Sequence, residues 1–379
     1  MTIDQPEVNA TFPLRVNWEG SLFVHHSFGM VNREILRELV NDPRLDMRHV
    51  PFEPDQFFPA PDSKFGKLKS IIGSPHTDAA VCVRHRWPPD FTQPSSGAYV
   101  LFQPWEYGCL PVEWVETIPG RVREVWVYSS YLKECYVASG LHEELIHIIP
   151  LGIDPDEFKP DAPPAPGVRE KINGRYCFMY NGGITLRKGV DILINAYLSE
   201  FRANEPVCLV IKGSNAYTKE LAAKVEALSK RTDIAPLIYL TQDIAPSDLP
   251  GLYTACDCYV HAYRAEGYGL PVAEAMACGR PVILTGAGAC RDFTDENTSF
   301  LIKCSMERQN TWSVGGMKTV GNPFWLRPDM DDLRNLMRYV YRNRVEARER
   351  GARASEKIRS LHTWKHAAAA AADRLCALA

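Results

Sequence analysis

Two glutamates eight residues apart, Glu266 and Glu274, enclose the stretch with the most chemical promise: Glu266-Gly267-Tyr268-Gly269-Leu270-Pro271-Val272-Ala273-Glu274. Carboxylates grip hydroxyls, and the residues between these two read as a glycine loop running into a helix. Gly267 and Gly269 let the backbone turn sharply and approach a ligand closely. Pro271 suits the first helical turn, Gly279 suits the position just past the helix end, and Pro281 blocks continuation. The start near Gly269 and Leu270 presents free N–H groups and a partial positive charge, which suits a phosphate. A phosphorylated ligand with hydroxyls, such as a nucleotide sugar, matches both features. The plainer alternative makes Glu274 a helix-dipole acid, worth about 0.3–1 kcal/mol, and Glu266 a solvated loop charge. The complete set of glycine loop, proline start and glycine stop favours the site.

A second loop supplies cations. Tyr176-Cys177-Phe178-Met179-Tyr180 reads as a buried strand, followed by Asn181-Gly182-Gly183-Ile184-Thr185-Leu186-Arg187-Lys188-Gly189 and an amphipathic helix over 190–201. Lys188 is the natural partner for a diphosphate, with Arg187 beside it. Both otherwise read as solvated loop charges. Lys212, closing the apolar run from Val207 to Ile211, is a further basic candidate for the same cleft.

The elements that must carry these residues repeat one pattern. Cys258-Tyr259-Val260-His261-Ala262 is a strand leading into the Glu266 loop. Strand and loop segments are expected over 207–214 and 237–244, with a short helix over 249–255. The chain opens with a strand over 14–18, a loop containing Gly20 and Ser21, and a helix over 31–40, the start of a doubly wound half. Strands follow over 46–50, 79–83, 98–102 and 125–130, with a helix over 131–139. Between them, 51–74 is Pro- and Phe-rich and irregular. Two of these strands end in Arg84-His85-Arg86-Trp87 and Gln103-Pro104-Trp105-Glu106, positions where open α/β sheets bind ligands. A lone histidine such as His85 is more often structural, and Trp105 either stacks on a sugar ring or fills the core. Four prolines between 159 and 167 make a stiff connector. The expected domains are 1–162, 168–358 and a helical end over 359–379, behind a loose leader over 1–11. No internal sequence repeat is seen.

The stretch from Glu266 to Val282 resembles the donor-site signature of the retaining, nucleotide-sugar-dependent glycosyltransferases of family 4. Glu266, the Tyr-Gly-Leu-Pro at 268–271 and Glu274-Ala275-Met276-Ala277-Cys278-Gly279-Arg280-Pro281-Val282 carry the likeness. Pro150-Leu151-Gly152-Ile153-Asp154 and the glycine turn at 287–292 resemble further family segments. The resemblance implies an α/β, GT-B fold: two doubly wound Rossmann-like domains facing across a cleft, with the last helix returning to the first. It implies a transferase moving a sugar from a UDP- or GDP-type donor to an acceptor hydroxyl, with retention. Glu266 would hold donor-sugar hydroxyls and Glu274 the ribose, with Ile244 in the base-contacting segment. Lys188, Arg187, Gly182, Gly183, Lys212 and the backbone from Gly267 through Tyr268 and Gly269 to Leu270 would complete the donor site. Gly20, Ser21, His85, Gln103, Trp105 and Glu106 are the acceptor or cross-cleft candidates. No metal or other cofactor is expected, and no Asp-x-Asp motif is taken as a metal site. Two departures stand out. The family's Arg five positions before the loop lysine is Gly183 here, and its histidine at the end of the strand over 98–102 is Gln103. On the same fold, an epimerase or a phosphorylase is the alternative, and a two-lobed sugar-binding protein is a further one.

Composition sets outer limits. At 379 residues with 45% hydrophobic and 23% charged side chains, the chain suits a two-domain globular protein. No apolar run approaches a membrane span, and the start lacks the basic and apolar parts of a signal peptide, so a cytoplasmic protein with at most peripheral membrane contact is expected. Residues 1–165 hold 14 Lys/Arg against 23 Asp/Glu, and 166–379 hold 29 against 23. An acidic first half argues against nucleic acid as a partner. The basic excess between Arg327 and Arg359 reads as a solvated helix face. Eleven cysteines without a CxxC pair read as buried small hydrophobes.

Overall fold

The computed structural model describes residues 12–213 and 219–379. The leader expected over 1–11 and the loop residue Ser214 lie outside the described residues.

Two six-stranded sheets organise the chain. The first contains β1 (Leu14–Gly20), β2 (Leu45–Pro51), β3 (Val81–His85), β4 (Ala98–Phe102), β5 (Glu124–Val127) and β6 (Ile146–Ile148), in the order β2-β1-β3-β4-β5-β6. The second contains β7 (Tyr176–Asn181), β8 (Val207–Lys212), β9 (Leu237–Leu240), β10 (Cys258–His261), β11 (Val282–Thr285) and β12 (Phe300–Ile302), in the order β12-β11-β10-β7-β8-β9. Its neighbours pair in parallel, so both faces must be covered, which explains the near-continuous apolar runs of β7, β8 and β11. Phe178, Leu209, Val260 and Ile283 build its core together with Val190 and Ile194 of helix Val190–Glu200. Chain order reverses between β7 and β10, so the loops leaving their carboxyl ends open at a topological switch point. Those are the two loops the sequence singled out.

By contact the chain forms two compact units. One holds the residues up to Gln103, Thr117–Trp126 and Ala367–Ala379; the other holds Pro104–Glu116 and Val127–His366. Helix Trp364–Ala377 includes Arg374, whose guanidinium meets the buried carboxylate of Glu124 within the first unit.

Several expectations shift. β3 lies over 81–85 rather than 79–83, because it registers against β1 from Val16↔Val81 to Gly20↔His85. Arg84 and His85 therefore sit inside the strand. The basic stretch from Arg327 to Arg359 is not a single solvated face. It enters through strand Phe324–Pro328, antiparallel to Cys304–Arg308, an arrangement the sequence did not announce. It then forms helices Met330–Arg342 and Arg344–Leu361. Several of its basic side chains are tied down: Arg338 to Glu200 at 2.6 Å, Arg350 to the Ser299 carbonyl at 3.0 Å, and Lys357 to Asp295 at 2.7 Å.

Candidate functional site

Helix Leu270–Ala277 starts after Gly269 and carries Pro271 in its first turn. Gly269 has φ +99, and a Cβ there would lie 2.4 Å from Cys290 Sγ, so only glycine serves. Gly267 is not in the left-handed region. Its carbonyl accepts from Ser129 Oγ at 3.0 Å, which anchors the loop. Past the helix, Gly279 at φ +71 and the Arg280 N–H bond to the Ala275 carbonyl close the C-terminus.

Glu266, at the head of this loop, is buried and multiply held. Lys188 Nζ donates to its Oε1 at 2.5 Å, and His261 Nε2 approaches the same oxygen at 2.7 Å. Burial alone would raise the Glu266 pKa; the charge of Lys188, the hydrogen bond from His261 and the charge of Arg187 overcome it and hold the carboxyl well below its ordinary range. Burial also pulls Lys188 downward against the attraction of Glu266. Lys188 closes the 3₁₀ turn Leu186–Lys188, whose cap is Thr185. Arg187 points to other partners, donating to Glu106 Oε1 at 3.1 Å and to the Ala265 carbonyl at 3.0 Å. Glu106 thus joins the Arg187 loop within the second unit.

Glu274 is also buried, and a tyrosine holds it. Tyr253 donates to its Oε2 at 2.5 Å, and Asn181 Nδ2 donates to the Tyr253 oxygen at 2.9 Å. Burial raises its pKa from 4.5 to about 7, against the Tyr253 hydrogen bond. Gly182 and Gly183 follow β7, where the Gly183 carbonyl accepts from Tyr180 at 2.8 Å. Lys212 ends β8 beside Asn181 in register, half-buried. Ile244 is half-buried in the loop after β9. Tyr268 is buried against Phe293, and Leu270 opens the helix.

Among the first-unit candidates, Ser21 and His85 are drawn together through Asn32, with Gly20 beside them. Gly20 ends β1 where a Cβ would lie 2.5 Å from the His85 carbonyl. Ser21 bonds Glu53 through its hydroxyl and Asn32 Nδ2 through its carbonyl, the latter at 2.7 Å. His85 is buried between Phe28 and Phe102, its Nδ1 2.6 Å from Asn32 Oδ1. Burial drives its pKa down to about 3. Gln103 is buried just past β4. Trp105, in the second unit, is enclosed by Trp114 and Tyr107 and donates to the Cys109 carbonyl at 2.8 Å, so its ring belongs to the core.

Asp-x-Asp spacing does occur twice, at Asp154-Pro155-Asp156 and Asp329-Met330-Asp331. Both are local caps: Asp154 accepts from the Asp156 N–H, and Asp329 accepts from the Asp332 N–H. Among the described residues no group of three His, Cys, Asp or Glu has metal-binding geometry.

Residues 175–309 match the family model described as Glycosyl transferases group 1, which spans β7 through both glutamates. The matched residues lie within the second unit. The chain is 28% identical over 159 residues to D-inositol 3-phosphate glycosyltransferase of Xylanimonas cellulosilytica, covering 40% of this chain and 37% of that protein. It is 26% identical over 187 residues to GDP-mannose-dependent alpha-(1-6)-phosphatidylinositol monomannoside mannosyltransferase of Mycobacterium tuberculosis, covering 46% of each. The match thus spans less than half the length of these curated relatives. The crystal structure of HepE of Anabaena, in complex with UDP and glucose, superposes with a TM-score of 0.66 at 14% identity, over 96% of this chain and 99% of that one. At that identity the likeness is one of fold, and it is the GT-B fold.

Sequence reasoning missed His261, Tyr259, Asn181 and Tyr253 as members of the candidate site. The signal was present in the alternation of β10. Cys258 and Val260 point into the core, and Tyr259 and His261 point the other way. A histidine there, five residues before Glu266, is out of keeping with a plain apolar strand.

Proposed function

We propose that this protein is a retaining glycosyltransferase that moves a sugar from a UDP- or GDP-type nucleotide sugar to an acceptor hydroxyl, without a metal. The observation that carries the reading is the Lys188–Glu266 pair at 2.5 Å, at the switch point of the second sheet and beside a helix start. Departure of a glycosyl group develops positive charge on the sugar and negative charge on the leaving diphosphate. Lys188, Arg187 and the amides around Gly269 and Leu270 supply fixed positive potential for that diphosphate. Glu266, kept ionised, accepts hydrogen bonds from donor-sugar hydroxyls, and Glu274 accepts from the ribose. Cationic stabilisation of this kind replaces a metal, and the leaving phosphate takes the acceptor proton on the same face.

We assign the donor to the segment 168–358 and the acceptor to 1–162. The donor classes follow from relatives and neighbours named for GDP-mannose and UDP. Sugar or lipid-linked hydroxyls are the acceptor classes. No helix among the described residues is long and apolar enough to cross a membrane. All eleven cysteines are free, which suits a reducing, cytoplasmic compartment.

The test is calorimetric titration with UDP, GDP, ADP and dTDP, in EDTA and then in magnesium, followed by transfer of labelled sugar from the matching donor. One nucleotide should bind in EDTA, and the product's anomeric configuration should equal the donor's. Binding only with magnesium would refute the metal-free mechanism, and an inverted product would refute retention.

A further inference from the structure

Two runs of hydrogen bonds, joined through the covalent frame of Asn181, link the two glutamates through residues that the motif does not contain. From Glu266 Oε1 the path passes to His261 Nε2 at 2.7 Å, then from His261 Nδ1 to the Tyr259 hydroxyl at 3.2 Å. Tyr259 reaches the Asn181 carbonyl at 3.0 Å, Asn181 Nδ2 donates to Tyr253 at 2.9 Å, and Tyr253 donates to Glu274 Oε2 at 2.5 Å. The chain joins the ends of β7 and β10, helix Leu249–Thr254 and helix Leu270–Ala277.

The imidazole is the member with least freedom. It is 1% exposed, with ring centroids 5.6 Å from Tyr180 and 6.0 Å from Tyr259, stacked nearly parallel to both at 8° and 14°. A nitrogen set against a carboxylate oxygen must carry a hydrogen, so Nε2 is the donor. In a neutral ring Nδ1 then accepts, and the Tyr259 hydrogen is shared between Nδ1 and the Asn181 carbonyl. Lys188 and His261 both address Oε1 of Glu266, which leaves Oε2 for a ligand hydroxyl.

We propose that His261 is the positioning residue for Glu266, and that the chain through Tyr259, Asn181 and Tyr253 sets Glu266 and Glu274 as one unit. The role in turnover rests on the nucleotide-sugar reading above; the hydrogen-bonded arrangement does not. His261 touches no substrate in this assignment. It fixes the carboxylate that does, so its loss acts on turnover more than on nucleotide binding. A misplacement of about 1 Å at a reacting centre lowers rate by about 10²-fold.

Two measurements test this. Histidine-ring ¹⁵N NMR on the full chain, with the His261 signals assigned from His261→Gln, should show the neutral Nε2–H tautomer. That pattern should change in Glu266→Gln and also respond to Tyr253→Phe. An Nδ1–H tautomer, or signals indifferent to Glu266→Gln, overturns the proposal whatever the protein's substrate. Signals that respond to Glu266→Gln but not to Tyr253→Phe overturn the coupling of the two glutamates. Kinetically, His261→Leu should lower turnover on the order of 10–100-fold while its Kd for UDP or GDP stays within about twofold. His261→Gln, which keeps a donor and an acceptor, should regain most of the rate. Equal losses in both variants, or full turnover in His261→Leu, would overturn it. A wild-type protein that binds no nucleoside diphosphate would refute the functional reading and leave the NMR result to decide the arrangement.

Discussion

The strand-end clusters of the two units are built on the same strand, loop and helix plan, yet they use opposite chemistry. In the first unit the hub is a neutral amide. Asn32 Oδ1 receives Trp18 Nε1 at 2.9 Å and His85 Nδ1 at 2.6 Å; its Nδ2 donates to the Ser21 and His85 carbonyls at 2.7 and 3.2 Å. All four hydrogen-bonding positions of the amide are filled by protein. In the second unit the hub is a carboxylate, and two protein donors crowd onto one of its oxygens. A saturated hub holds a fold together. A charged hub with an oxygen to spare is equipped for a ligand. The contrast groups His85, an acceptor or cross-cleft candidate in the sequence, with the neutral cluster, and draws attention to His261.

The largest effect expected from breaking the charged hub comes from Lys188→Ala. Turnover should fall by about 10²–10³-fold, the scale for removing one oxyanion donor. Glu274→Ala should instead weaken nucleotide-sugar binding. Steady-state kinetics on both variants separates the two, and retention of full activity in both would sink the site assignment.

Titration sharpens the comparison, because the two regions respond to pH with opposite sign. Glu274 has a folded pKa near 7 against an ordinary 4.5, so it favours the folded state at low pH. That contribution is lost as pH rises from 4.5 through 7, amounting to about 3 kcal/mol. Glu274→Gln should therefore raise the melting temperature at pH 8 and flatten the profile across that window. His85 runs the other way: its folded pKa near 3 lies below the ordinary 6.5, so stability falls as pH drops below 6.5. The loss is about 2 kcal/mol by pH 5. His85→Phe should flatten that acid limb, whatever it loses at pH 8. Melting curves from pH 5 to 8 check both.

Asn32→Leu probes the neutral hub directly. It strands the Trp18 N–H and two carbonyls, and should lower stability by roughly 2–3 kcal/mol without altering nucleoside diphosphate affinity in the folded protein. The smallest effect belongs to the surface pair of Lys230 and Glu226, at 2.8 Å but largely exposed. Lys230→Ala should leave the melting temperature unchanged within error.

Much of this was readable from residue order. The strands β7, β8 and β10 are marked by apolar runs, because a parallel sheet covered on both faces tolerates little else. Helix Leu270–Ala277 is marked at both ends by Pro271 and Gly279, whose backbone preferences act locally. Glu266, Glu274 and Lys188 could be singled out for the same reason: their chemistry and spacing are properties of short segments. The pair Cys304–Arg308 and Phe324–Pro328 escaped notice, because antiparallel partners so far apart leave no periodic signature in either strand alone.

What only the tertiary structure decided is which charges meet. Lys188 and Glu266 are 78 residues apart, Arg187 and Glu106 are 81 apart, and Asn181 and Tyr253 are 72 apart. The motif presents Glu266 and Glu274 as equivalent acids. Folding makes one an ion held by Lys188 and His261 and the other a buried acid titrating near neutrality. The reason is that a carboxylate's state follows from its surroundings, from desolvation and the charges within a few ångströms, and those come from strands distant in the chain. The sequence determined that a carboxylate and a lysine would stand in loops after strands of a doubly wound sheet, with a second carboxylate on the helix that follows; tertiary packing determined how each is charged and what holds it.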